Sequence, residues 1–500
     1  MRTLKPILRL TALIALLTLS VAATAKPLRF LVRYAASISK QPYTGRVYIM
    51  LGDPKGPEPR TGPNWFQPAP MFAEDVKDWR PGLDLEIDGE NIAFPAPLSK
   101  LRADRYAIQA VMDLRKDSHE IGNAPGNAYS AVTVARLDPA EGGDISLHID
   151  QKVAPRPFPE TDRLKHVDIS SPLLTKFYGR PVNMQAAVSL PEGYAAHPDM
   201  KYPVVYIVPG FGGDETEAQY LDVAPLAPTG FPIIRVILNP DAPTGHSAFA
   251  DSANNGPRGE ALTTELIPYI ESHFRAVGKS YGRFVMGHSS GGWSSLWLQV
   301  AYPYFFGGVW STSPDPVDFR DFQQIDLYKP GLNFFFDPSG NLRPVARDGT
   351  TPVLFIKPFV EMETVLGHGG QMGSFNAVFS PKGTDGQPQS MWNPATGAIN
   401  QQVTPAWRKY DISLILRTNW STLEPKLRGK LHVWTGGLDT FYLDGAVKLL
   451  QQEMTSLHSD ADIQILPGKN HFTILTPDLQ AQIGNEMMAS YRAHAPSVVQ

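Results

Sequence analysis

The sequence predicts an α/β protein: a mostly parallel sheet covered by helices on both faces, preceded by a β-rich domain of sandwich type. Two patterns carry this prediction. From about residue 165 onward, fully apolar runs such as Tyr202–Val208 and Phe231–Leu238 alternate with helical stretches. Strands that are apolar on both faces belong to a buried parallel sheet. Before that point, short strand-like runs separated by Pro- and Gly-rich turns fill residues 27–160, the spacing of a sandwich. The 500-residue length, with 42% hydrophobic and 19% charged residues, suits two or three folded units with a large core and excludes wholesale disorder.

The first element is an address. Arg2, Lys5 and Arg9 precede the apolar run 10–23, and Ala23-Thr24-Ala25 offers small residues for cleavage. This is the pattern of a secretory signal peptide over residues 1–25, with an uncleaved anchor as the other reading. The mature chain is then expected to start near Lys26 and to work in the periplasm or as a secreted protein. No later stretch reaches the length of an apolar membrane span, so no membrane association is expected after cleavage. Cys is absent, which removes disulfides, thiolate metal sites and a Cys nucleophile. The net charge of -4 argues against a nucleic-acid partner.

Residues 26–160 are expected to hold strands at 29–34, 45–51, 105–113, 130–137 and 144–153, with no catalytic constellation among them. The Pro-rich stretch 154–159 reads as a linker. The second unit, 165–495, is expected to carry strands at 202–208, 231–238, 283–286, 307–310, 430–435 and 462–466. Helices are expected over 259–276, despite Pro268, over 292–301 and over about 441–457. Between Ser313 and Leu427 the alternation stops. This stretch is too long for a plain loop and reads as an insertion folded against the catalytic face. Its aromatics Phe334, Phe335, Phe336, Trp392 and Trp407 form its own core or else wall a substrate pocket.

One motif carries chemistry. Gly287-His288-Ser289-Ser290-Gly291 fits G-x-S-x-G, with the apolar strand 284–286 running in and a helical stretch running out. That strand–turn–helix context is what a nucleophile elbow requires. The turn is tight, so glycines must flank the serine, and the hydroxyl is pushed out at the carboxyl end of the sheet. A serine hydroxyl needs a base and an orienting acid, expected in the chain order Ser, Asp or Glu, His. Asp439 follows strand 431–434 and His471 follows strand 463–466, at the sheet end where reacting groups collect. Asp444, His246, His288, His368, His432 and His458 are the competitors; Asp444 and His458 suit helix ends. Backbone N–H groups of Ser290 and of Phe211 in Pro209-Gly210-Phe211-Gly212-Gly213, with Gly212 as the alternative, are the expected oxyanion donors. This chemistry calls for no metal or organic cofactor.

The segments 202–213, Glu265–Ile270, 287–292 and 436–439 together resemble the Putative esterase family of α/β-hydrolases, which includes esterase D, enterochelin esterases, feruloyl and acetylxylan esterases and the mycolyltransferases. The resemblance covers roughly 170–312 and 428–475 and omits the insertion 313–427. It implies an α/β-hydrolase fold with the insertion after the sixth core strand. The N-terminal region resembles the sandwich that precedes the hydrolase domain of enterochelin esterases. By resemblance Ser289 is the nucleophile, His471 the base and Asp439 the acid of an enzyme that cleaves a small-molecule or polysaccharide-linked carboxylic ester. An acyltransferase, a serine peptidase and a non-catalytic binding protein on the same scaffold are the alternatives. The oligomeric state is not legible.

Overall fold

The computed structural model describes residues 26–496 apart from Lys116 and residues 224–230. The leader expected over residues 1–25 lies outside the described residues. Among the described residues no helix is long and apolar enough to cross a membrane.

The β-rich region differs from a two-sheet sandwich. Its strands join through hydrogen bonds into one nine-stranded sheet, mostly antiparallel, in which Leu28–Tyr34 and Gly143–Lys152 run parallel. Phe30 of the first strand nevertheless lies 5.9 Å from Phe72 of Met71–Trp79, five strand pairings away along the sheet. The sheet therefore curls over and closes its own core. Strands Met71–Trp79, Leu85–Ile87 and Ile92–Phe94 were not expected from sequence. The first of these interleaves Glu74, Asp75, Lys77 and Asp78 with its apolar residues, which masks the apolar pattern.

The second unit holds an eight-stranded sheet of β1 (Leu164–Ser170), β2 (Asn183–Ser189), β3 (Val204–Val208), β4 (Ile234–Leu238), β5 (Arg283–His288), β6 (Gly308–Thr312), β7 (Leu431–Gly436) and β8 (Asp462–Leu466). The order is β1-β2-β4-β3-β5-β6-β7-β8. β1 and β2 are antiparallel additions to a parallel core. Alternate side chains feed two cores. Val204, Tyr206, Val285, Val309 and Val433 point to one face, while Val205, Phe284, Met286, Trp310 and Trp434 point to the other. Helices cover both, as doubly apolar strands require.

The helix α1 (Ser290–Ala301) packs on the first face. The helix α5 (Pro477–His494) covers the second through Leu479, Ile483 and Met487, each contributing about 1.5–3 kcal/mol by burial. Thr476 caps α5 by accepting from Leu479 N–H, and Pro477 opens it. Pro268 does not break the helix around it, because one turn of π-helix, Leu262–Leu266, precedes it and Ile267 N–H bonds back to Leu262.

The insertion contains α2 (Ile356–Leu366), α3 (Gln371–Phe379) and α4 (Ile412–Leu427). Phe334, Phe335, Trp392 and Trp407 are buried in it, with Phe334 stacked on Trp392 at 4.0 Å. They are core and do not line the cavity described below. The β-rich region finishes α2 from outside. Arg46 Nη1 donates to the carbonyls of Thr364 (2.9 Å) and Val365 (3.0 Å), and Tyr48 OH donates to that of Leu366 (2.7 Å). Carbonyls in the last turn of a helix have no partner of their own, so the two regions are joined where α2 ends. α2 in turn supports α3. Glu363 accepts from Met372 N–H and Gly373 N–H, and burial pushes its carboxyl up to about 7 against those bonds.

Candidate active site

The elbow is built at the junction of β5 and α1. Ser289 sits at φ 59°, ψ −125°, a conformation that costs a non-glycine residue on the order of 1–3 kcal/mol and persists only where surroundings enforce it. Three backbone bonds enforce it here: Ser289 N–H to Thr312 C=O (3.0 Å), and Trp293 N–H (3.1 Å) and Asp315 N–H (3.2 Å) to Ser289 C=O. The flanking glycines are steric necessities. A Cβ on Gly287 would lie 2.1 Å from the Gly291 carbonyl oxygen, and one on Gly291 would lie 1.9 Å from that of Val208.

Ser289 opens into a cavity of about 590 Å3 whose lining also includes Gly210, Phe211, His288, Asp315, Gln371 and His471. His471 lies past β8 and Asp439 past β7. Asp439 is fully buried. His471 Nδ1 and Asp439 Oδ2 are 2.9 Å apart, and Asp439 Oδ1 accepts from Phe441 N–H at 2.9 Å. Burial alone would raise the Asp439 carboxyl, but the His471 bond and charge outweigh it and hold it below its ordinary value. An ionised Asp439 fixes the His471 tautomer with the proton on Nδ1, which leaves the Nε2 lone pair as a base. The ring is held by His288 (4.5 Å), Phe441 (4.9 Å, edge-on) and Phe472 (5.4 Å, edge-on). Ser289 Oγ makes no hydrogen bond to a described residue; it and His471 both line the cavity.

The competing residues have other partners. Asp444 binds Arg347 and Lys448, both at 2.6 Å. His368 pairs with Asp113 of the β-rich region at 2.9 Å. His288 Nδ1 faces Thr312 Oγ1 at 3.1 Å, and that hydroxyl donates onward to Gly287 C=O. Burial, together with repulsion from His471, pushes His288 down to about 3, so it stays neutral. His432, Asp462 and Glu486 bring three potential ligand atoms within 4.8 Å of one another, but none of them lines the cavity.

The expected oxyanion loop lies against the nucleophile: a Cβ on Gly210 would stand 3.5 Å from Ser289 Cβ. Neither Phe211 N–H nor Ser290 N–H is hydrogen-bonded to a described residue. The loop is held from two sides. His246 Nε2 bonds to Pro209 C=O at 3.0 Å, while its Nδ1 accepts from Ala248 N–H. On the other side, His119 of the β-rich region stands 5.6 Å from the Phe211 ring and bonds to Asp241.

Sequence reasoning missed Asp315. Buried, it accepts from Ser290 Oγ at 2.6 Å and from Gln371 Nε2 at 3.2 Å, while its N–H donates to Ser289 C=O. Burial pushes its carboxyl up to about 6 despite those bonds. It follows β6 by three residues, the same sheet-end position that singles out Asp439, but it falls just inside the stretch read as insertion. Trp65 and Phe66, which also line the cavity, carry no signal in the sequence.

Chemically, a buried Asp–His pair and a strained serine at one cavity, with backbone N–H groups that have no partner among the described residues, can support nucleophilic acyl transfer. The sheet order and the elbow together define an α/β-hydrolase. Within that class, a model described as Putative esterase matches residues 181–474, more than half of the sequence, and the chain belongs to that family. Esterase Rv1288 and Esterase MT1326, from two strains of Mycobacterium tuberculosis, are each 33% identical over 142 residues, which cover 27% of this chain and 30% of theirs. The chain thus matches under a third of the length of these curated relatives. A ferulic acid esterase structure is 15% identical, covering 66% of this chain and 99% of that one, with a TM-score of 0.41. An S-formylglutathione hydrolase from Agrobacterium tumefaciens is 13% identical, covering 66% and 94%, with a TM-score of 0.40.

Proposed function

We propose that this protein is a serine hydrolase that cleaves carboxylic esters outside the cytoplasm, with Ser289 as nucleophile, His471 as base and Asp439 as the orienting acid. The observation that carries the reading is the 2.9 Å His471–Asp439 bond at the wall of the cavity that holds the Ser289 elbow. Family membership favours the same chemistry. The sequence of residues 1–25, read as a leader, supports the location.

His471 Nε2 takes the proton from Ser289 Oγ as that oxygen attacks the ester carbonyl carbon. The carbonyl oxygen, now negative, receives the Phe211 and Ser290 N–H groups. The His471 cation is stabilised by ionised Asp439 and gives its proton to the leaving alkoxide, so the alcohol departs and an acyl ester remains on Ser289. Water, deprotonated by His471 Nε2, attacks that ester. The carboxylic acid leaves and Ser289 recovers its proton. Each step uses groups of this chain and water alone. The substrate is a small-molecule ester, free or attached to a larger carrier.

Hydrolysis of p-nitrophenyl acetate by wild type and Ser289→Ala tests the reading. The variant is expected to lose activity by at least about 10³-fold while keeping its circular dichroism spectrum. Equal activity in both proteins removes Ser289 as nucleophile.

A further inference from the structure

The β-rich region sends one loop into the catalytic cavity. Its residues Trp65 and Phe66 form part of the cavity wall. The Trp65 ring lies 5.4 Å from Phe211, on the loop expected to bind the oxyanion, and 5.0 Å edge-on from Phe359 of α2. Phe66 faces Phe441 at 6.3 Å, and Phe441 in turn packs on His471. Aromatic rings from the first region thus reach neighbours of both the oxyanion loop and the base.

The loop is shaped in advance. Asn64 Oδ1 accepts from the N–H groups of Phe66 and Gln67 (3.0 and 3.3 Å). At its base, Arg60 bonds to Gly122 C=O and Asn123 Oδ1 and lies 4.3 Å over the Tyr129 ring. Rings fixed before binding lose little freedom when a ligand arrives.

Trp65 is half-buried against the core, and the exposure of the rings beside it is the telling feature. Phe66 is 42% exposed and Phe472, beside the base, is 67% exposed. Rings serving only as core would be buried. Exposed aromatics rimming an apolar cavity instead match an apolar ligand, and a cavity of about 590 Å3 far exceeds a short acyl group.

We infer that Trp65 and Phe66 are specificity-determining residues that contact a bulky apolar group of the ester held at Ser289, so that the β-rich region forms part of the substrate site. The inference rests on the ester-cleaving reading above. It adds the source of selectivity and its direction: esters with a large apolar group are preferred over acetyl esters.

The test compares kcat/KM of the full chain on p-nitrophenyl 3-phenylpropanoate and p-nitrophenyl acetate, for wild type, Trp65→Ala, Phe66→Ala and Trp65→Phe. The phenylpropanoate-to-acetate ratio is expected to exceed one in wild type and to fall about tenfold or more in each alanine variant, chiefly through KM. Trp65→Phe, which keeps a ring, should recover part of the ratio. Phe66→Ala leaves the Trp65–Phe211 contact in place and so isolates recognition from any shift of the oxyanion loop. A ratio unchanged in both alanine variants overturns the inference, as does an equal loss on both esters. Binding of the phenylpropanoate ester to Ser289→Ala, followed by calorimetry with and without Trp65→Ala, separates this result from the hydrolytic reading. If wild type cleaves neither ester, weaker binding in the double variant still supports the Trp65 contact. Equal binding, or none in either protein, refutes it.

Discussion

His246 and Pro209 are joined by a 3.0 Å hydrogen bond from the ring Nε2 to the backbone carbonyl, two residues before the N–H assigned to the oxyanion. The opposite ring nitrogen is occupied by Ala248 N–H, so the tautomer follows from the network. Burial pushes His246 down to about 4, so the ring remains a neutral donor throughout the physiological range. His246 N–H also donates to Ser374 Oγ of α3 at 3.0 Å. The oxyanion loop, the turn at 245–248 and the insertion are thereby tied together.

Removing that donor should loosen the loop without touching substrate. His246→Ala is expected to lower kcat by about 10- to 100-fold, the range for a misplaced oxyanion donor. His246→Gln, which still offers an N–H, should lose less. Steady-state kinetics of the two variants beside their melting curves checks this; equal losses in both would assign the effect to packing.

Asp439→Asn tests the acid. An amide can present its N–H to His471 Nδ1 and so favour the wrong tautomer, leaving no lone pair at Nε2. kcat should fall by about 10³- to 10⁴-fold with KM little changed. Because the folded carboxyl is held below its ordinary value, its ionic contribution to stability is present above the unfolded value near 4 and is lost as pH falls through the folded one.

Asp315 carries the opposite sign. Its carboxyl is pushed up to about 6, against an unfolded value of about 4. Between those values the folded state binds more protons than the unfolded one. Stability attributable to this group is therefore present at low pH and falls as pH rises from about 4 through about 6. Asp315→Asn does not titrate. The variant should gain on wild type across that window, by up to roughly 3 kcal/mol before its altered bond to Gln371 is counted. Urea unfolding of both proteins at pH 4.5 and pH 8 checks the sign; a constant difference contradicts it.

The junction between the two regions gives a stability prediction. Tyr48→Phe leaves the Leu366 carbonyl without its 2.7 Å donor and should cost about 1–3 kcal/mol. The tether supports the end of the helix that carries Phe359, so sensitivity to proteolysis at the junction should rise with it. Limited proteolysis and thermal melts measure both.

The elbow was legible because its chemistry is local: Gly287 and Gly291 stand where a Cβ would collide with backbone, and a strand and a helix flank them in sequence. Asp439 and His471 were legible because each ends an apolar strand. Asp315 obeys the same rule after β6 but was hidden by the insertion that starts beside it. Trp65 and Phe66 were illegible for a different reason. They reach the cavity only because the curled first sheet docks on α2 through Arg46 and Tyr48, a relation between positions some 300 residues apart that leaves no local pattern. β1 and β2 were missed because Lys165, His166, Asp168 and Gln185 interrupt their apolar runs; their places in the sheet come from pairing with each other and with β4.

The central claim is that Ser289 carries the acyl group. The most direct measurement is peptide mass spectrometry of wild type and Ser289→Ala, each mixed with p-nitrophenyl acetate and quenched in acid within the first turnovers. A peptide containing Ser289 that is heavier by one acetyl group in wild type, with no such adduct in the variant, is the predicted result. An acetyl group on another residue of wild type, or the same adduct in Ser289→Ala, would contradict the account.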